Sequence, residues 1–163
     1  IVRENTKMEK MLISGVAADK NVAKIRVAGL GNDPDSTFRL LNVLDKNNLN
    51  IDVMIQSLGK DGTKSVSFTV AKPDLLRALD LLNDNKDYLG IKKLDSDEKV
   101  AKVSVIGAGI RSHSGVAAKM FGALASIGVN TEMVTTSEIR ITVLIDEEYT
   151  DLAMRKLHET FIN

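Results

Sequence analysis

Two stretches of this chain repeat each other. Residues 22–31, VAKIRVAGLG, align with 100–109, VAKVSVIGAG; Val-Ala-Lys is identical and Gly29 falls on Gly107. Residues 41–57, LNVLDKNNLNIDVMIQS, align with 121–137, FGALASIGVNTEMVTTS. That alignment puts Asn50 on Asn130, Asp52 on Glu132 and Ser57 on Ser137. The offset grows from 78 to 80 between the two matches, so the intervening loop is two residues longer in the second copy. A series of matches in one order means one supersecondary unit built twice.

Each copy reads the same way locally. Residues 24–30 and 103–106 alternate as strands do. Residues 36–47 carry Phe38, Leu40, Leu41 and Leu44 on one helical face; 116–127 carry Ala117, Met120, Phe121 and Leu124. Asn47-Asn48 and Gly128 are stops that tolerate a left-handed backbone. Strands are expected at 51–56 and 131–135. The turn GKDGT, 59–63, leads into SVSFTVA, and a tight turn near Ser137-Glu138 leads into IRITVLI. Helices follow at 73–83, with Pro73 in the first turn, and at 147–160.

The order is β-α-β-β-α in each copy, and the first adds a strand near 91–94. This is the ferredoxin-like βαββαβ pattern, of class α+β, an antiparallel sheet with helices on one face. The second copy lacks a closing strand, and a spare strand-like segment at 10–17 is expected to supply it. The expected domains are 20–98 and 99–163, the latter completed by 10–17. The polar stretch 92–102, KKLDSDEKVAK, reads as a joint between them.

Bulk properties narrow the function. Twenty-two Lys and Arg balance twenty-two Asp and Glu among 163 residues, with no basic run, so a nucleic-acid partner is not expected. With no cysteine, thiolate metal sites and cysteine nucleophiles are excluded. Two histidines, His113 and His158, are too few to suggest a His-based metal site. No apolar run approaches the ~20 residues of a membrane span. No secretory signal is evident, and a cytoplasmic location is expected. The chain opens on Ile1 rather than Met, as a piece of a longer protein would.

The run VSVIGAGIRSHSGVAAKM, 103–120, imitates a dinucleotide-binding turn. The third glycine of that fingerprint is Ser112, however, and the strands that follow pair as hairpins, so no nucleotide cofactor is expected. No P-loop pattern is present. Such strand–loop–helix corners can instead hold a small carboxylate on the unpaired first amides of the helix. The corners 32–37 and 112–117 are rich in Asn, Asp and Ser. On spacing alone Asp33, Ser36, Ser112 and Ser114 read more readily as plain helix caps. His113 is readable as a ligand contact or an exposed loop residue, and Asp52 and Glu138 as amino-group partners or ordinary strand charges. Met54, Met120, Met133 and Met154 read as core or interface filler.

The segments SHSGVAAKMFGALASIGVN, 112–130, and MVTTSEIRITVLIDEEYTDLAMRKLHETF, 133–161, resemble the C-terminal regulatory region of aspartate kinases. ISGVAADKNVAKI, 13–25, is similar to the segment that opens that region. The resemblance implies a tandem of ACT domains that binds lysine, threonine or both and lowers kinase activity. It also implies a homodimer joined through ACT domains, and a catalytic domain or subunit as partner. It assigns effector contacts to Ser112, His113, Ser114, Gly115, Val116 and Ala117, with Asn50, Ile51, Asp52 and Gln56 opposite. A second set comprises Asp33, Asp35 and Ser36 with Asn130 and Thr131; Ser137 and Glu138 belong to the same family pattern. Here the first loop departs from the family's Asp-x-Pro-Gly: it reads Asp33-Pro34-Asp35-Ser36. Asp35 stands where close approach favours glycine, and its charge would repel a ligand carboxylate. A one-site, lysine-type response is therefore expected; the alternative is an ACT module that only dimerises.

Overall fold

The computed structural model describes residues 13–108, 110 and 114–162. These form two compact units, one from Asn21 to Glu98 and one joining residues up to Lys20 with those from Lys99 onward.

In the 21–98 unit, strand β1 (Ile13–Leu30, here from residue 21) is followed by α1 (Pro34–Lys46), β2 (Met54–Leu58) and β3 (Lys64–Ala71). A short turn of 3₁₀ helix then opens α2 (Leu75–Asp84), and α3 (Lys86–Leu89) precedes β4 (Lys93–Gly107). The sheet runs β2-β3-β1-β4. β2 pairs antiparallel with β3, Gln56 opposite Val66, and β3 pairs antiparallel with β1, Phe68 opposite Ile25. Alternate residues Ala23, Ile25, Val27, Val66, Phe68 and Val70 bury against Leu40, Leu44, Ala78 and Leu82 of the helices. Strand period two and helix period 3.6 thus meet on one face, which is why the helices lie on a single side.

The other unit repeats this design with β4 (from residue 99), α4 (Ser114–Ser126), β5 (Met133–Thr136), β6 (Arg140–Asp146) and α5 (Thr150–Phe161). Its sheet runs β5-β6-β4-β1. Ala101, Val103, Val105, Ile141, Val143 and Ile145 pack on Val116, Met120, Leu124, Leu157 and Phe161. The first part of β1 fills the fourth place: Ser14 Oγ donates to the Ile106 carbonyl at 3.2 Å, and Lys102 Nζ lies 4.0 Å from Asp19. The α+β, βαββαβ class and the closing N-terminal strand are therefore as the repeat implied; residues 10–12 of that strand lie outside the described ones.

Both first helices end in the same cap. Asn48 (φ 56°) and Gly128 (φ 73°) turn left-handed. Leu49 N–H then donates to the Leu44 carbonyl, and Val129 N–H to that of Leu124, each at 3.0 Å. These are the bonds of a Schellman stop. Only Asn48 bears the side-chain strain of that backbone. Asn48→Gly should stabilise the protein by about 1 kcal/mol and Gly128→Ala should cost about as much. Urea denaturation of both variants measures this.

Several local expectations are corrected. The polar stretch 92–102 is the joint expected, since the boundary between the units falls at Glu98/Lys99, but from Lys93 it is strand rather than irregular chain. Between 93 and 99 it forms an exposed outer strand whose charges face water, Lys93 and Arg26 lying 3.9 and 3.8 Å from Asp95. Charge on an outer strand discourages further pairing, and that charge reads as a linker in sequence. Segments 13–17 and 24–30 belong to a single strand. β2 and β5 begin at Met54 and Met133, later than expected. In the first copy the cause is visible: Val53 N–H turns to the Thr69 hydroxyl (3.1 Å) instead of a ladder carbonyl. Phe38 is off the buried face, 63% exposed; Met54 is exposed too, which leaves the interface half of its expected role.

Candidate functional site

In the first copy the corner between β1 and α1 is held by Asp33. Its Oδ1 accepts from the amides of Asp35 (3.0 Å) and Ser36 (2.9 Å), and its Oδ2 from the Ser36 hydroxyl (2.8 Å). Lys64 Nζ, from β3, donates to the Asp33 carbonyl at 2.8 Å, and Arg39 lies 4.0 Å from the carboxylate. Thr37 Oγ1 donates across to Gln56 Oε1 on β2 at 2.5 Å. A Cβ at Gly31 would stand 2.6 Å from Asp33 Oδ2, so a larger residue there would have to displace this carboxylate.

The second copy has a cavity at the same corner. Its volume is about 460 Å³, and it lies between the start of α4 and the β5–β6 turn. Ile110, Ala117 and Ile141 supply apolar wall; Ser114, Thr136, Ser137 and Glu138 supply polar atoms. The turn is set by the Ser137 N–H bond to the Arg140 carbonyl, 2.8 Å. A lining that mixes apolar side chains with polar groups suits a small molecule that has both an aliphatic part and charged groups.

The structure thus brings together Ser114, Ala117, Ser137 and Glu138 at one cavity, and Asp33 and Ser36 at one cap. Ser112 and His113 lie outside the described residues. Gly115 is exposed beside Ser114, while the Val116 side chain is wholly buried in the core. That burial directs Val116 away from the cavity. Asp35 is exposed in the first turn of α1. Asn50 and Asp52 are exposed before β2 begins, and Ile51 packs partly on the core. Gln56 is bonded to Thr37. Asn130 is exposed and Thr131 half-buried, both ahead of β5. Sequence reasoning did not single out Lys64, Ile110 or Ile141, and it took in Thr37 and Thr136 only as members of longer stretches. Lys64 reaches its acceptor over 31 residues of chain, a distance at which spacing carries no signal. Among the described residues no cluster of His, Asp or Glu is disposed to hold a metal ion, and no helix is long and apolar enough to cross a membrane.

The Asp33 cap carries a pH prediction. The Ser36 hydroxyl foremost, then the Ser36 and Asp35 amides and Arg39, hold its carboxyl below the usual aspartate value, against the opposing effect of partial desolvation. A depressed pKa in the folded state gives stability that is present above the unfolded value, roughly pH 4, and is lost as pH falls through the folded value. Asp33→Ala should therefore lower Tm most near neutrality, and the gap from the parent should narrow below about pH 4. Thermal melts from pH 7 to pH 2.5 (as an experimental range) would show it; a gap independent of pH would contradict it.

Comparison with known proteins bears on what this arrangement serves. A family model described as an ACT domain matches residues 103–161. The chain is 39% identical over 158 residues to an aspartokinase of Pseudomonas aeruginosa, covering 97% of this chain and 38% of that protein. It therefore spans well under half the length of that relative. In structure it is similar to a chain of aspartokinase alpha and beta subunits, at 43% identity and TM-score 0.86 over 91% of this chain and 98% of that one. It is also similar to the ligand-free regulatory subunit of aspartate kinase from Thermus thermophilus, at 35% identity and TM-score 0.87, covering 92% and 99%. Fold, repeat and near-complete overlap with these subunits agree: the chain belongs to the aspartokinase family, as a regulatory part built from ACT domains.

Proposed function

We propose that this chain senses an end-product amino acid and passes that signal to the catalytic part of an aspartate kinase in the cytoplasm. Lysine, threonine or both would bind where ACT domains of two chains meet and favour a less active state. Such control requires the effector to bind one state of the assembly better than another. The carrying observation is the cavity at the second corner. Backbone amides at the start of α4 suit a carboxylate. Ile110, Ala117 and Ile141 suit a methylene chain, and Ser137 and Glu138 suit an ammonium group. That chemistry fits lysine, with its long methylene chain, better than threonine. The strand region Asn50–Gln56 of a second chain would cover the opening. Calorimetric titration with each amino acid tests the reading. A Kd in the micromolar range for lysine supports it; no heat from either at millimolar concentration overturns it.

A second reading is a module that dimerises without an effector. Its support is exposed apolar residues on the outer strands and their turns: Met54 and Leu58 in one copy, Val134 and Ile139 in the other. A ligand that binds only the folded form raises stability, by about 2.7 kcal/mol at one hundred times Kd. A dimer whose Tm does not move with either amino acid would decide for this reading.

A further inference from the structure

The two corners, alike in sequence position, differ at aligned side chains. With the helices aligned at Pro34 and Ser114, Thr37 corresponds to Ala117 and Gln56 to Thr136. In the first copy Thr37 and Gln56 are bonded to each other across the corner. In the second, Ala117 and Thr136 stand on the wall of the cavity with space between them. The aligned partner of Asp33 is His113, which has no carboxylate.

Asp33 does in the first copy what an amino-acid carboxylate would do. Two backbone amides and a hydroxyl point at its oxygens, at 2.8 to 3.0 Å. These are the donors that a helix start offers an anion. An incoming carboxylate would have to displace a tethered one that is always present at high local concentration, and it would meet Asp35 as a further negative charge. Lys64 is bonded to the Asp33 carbonyl, so its ammonium sits on the same loop as the tethered carboxylate.

We infer that the first corner is occupied by its own Asp33 carboxylate, so that each chain takes one effector molecule, at the second corner. The built-in carboxylate keeps α1 capped whether or not effector is present, and the corner acts as a fixed structural element. This rests on the proposed amino-acid binding.

Calorimetry on the full chain with L-lysine and L-threonine, separately and in sequence, reads the stoichiometry. Amide and carboxyl NMR on the same samples reads the place. One molecule per chain is expected, with the amide signals of Ser114–Ala117 and Thr136–Glu138 moved at saturation. Those of Asp35 and Ser36, and the Asp33 carboxyl titration, should stay in place. Two molecules per chain, or movement of the Asp35 and Ser36 amides with a rise in the Asp33 midpoint, overturns the inference alone. No binding of either amino acid overturns the functional proposal, and this inference with it.

Discussion

Phe68→Ala should cost about 3–5 kcal/mol of folding free energy. Phe68 is wholly buried at the centre of the 21–98 unit, on β3 between Ile25 of β1 and Met54 of β2. Its ring lies in the cluster that joins Val27, Val66, Leu40 and Leu82. Truncation removes the ring's transfer energy and leaves a hole that a two-sided sheet neighbour cannot close. Set against a typical domain stability of about 5–15 kcal/mol, that loss brings the unit close to unfolding. Leu58→Ala is the control: Leu58 is 61% exposed, and its loss should stay within about 0.5 kcal/mol. Urea curves for both variants check the pair. A Phe68 cost near 1 kcal/mol would mean that the core is not packed as described.

Ala117→Leu should abolish effector binding in practical terms, raising Kd at least ~100-fold, or about 2.7 kcal/mol. Ala117 lines the second-corner cavity opposite Thr136 and Ser137. Three added carbons there occupy the space assigned to the ligand's methylene chain. Folding should change little, because the residue is half-buried and the added atoms enter open volume rather than packed core. Thr37→Leu in the first copy, by contrast, should leave the Kd within about threefold. It breaks the bridge to Gln56 at the corner inferred above to take no effector. Parallel calorimetry on the two variants separates the corners. Unaltered binding by Ala117→Leu would place the ligand elsewhere.

The repeat made most of this architecture readable. The identical Val-Ala-Lys openings mark the strands beneath each helix, and Asn48 and Gly128 mark the same helix stop in two chemistries. What escaped was set by partners distant in sequence. Lys93 to Lys99 looked like solvated linker because an outer strand with charged faces and a linker share one composition. Phe38 sat at helical spacing with Leu40, Leu41 and Leu44, and only packing shows that the buried stripe follows Ser36, Leu40 and Leu44. At the corners, the Asp33 cap was legible from the Asp-x-x-Ser spacing, since both groups lie within one turn. The Thr37–Gln56 bond was not, because it depends on how β2 passes the helix.

The sharing of β1 between the two units shapes how the chain must acquire its structure. The unit that begins at Lys99 obtains its last strand from the opposite end, with Ser14 and Ile106 in contact across 92 positions. Folding of the first unit already sets β1 beside β4, so this contact should form after it, as an extension of that strand pair. A ribosome would release the first unit nearly whole while its upstream extension still awaits a mate. Excising residues 99–163 as an independent module would bare the side of β4 that β1 normally covers, inviting self-association. Boundaries drawn by homology to a single repeat therefore cut through a working structure.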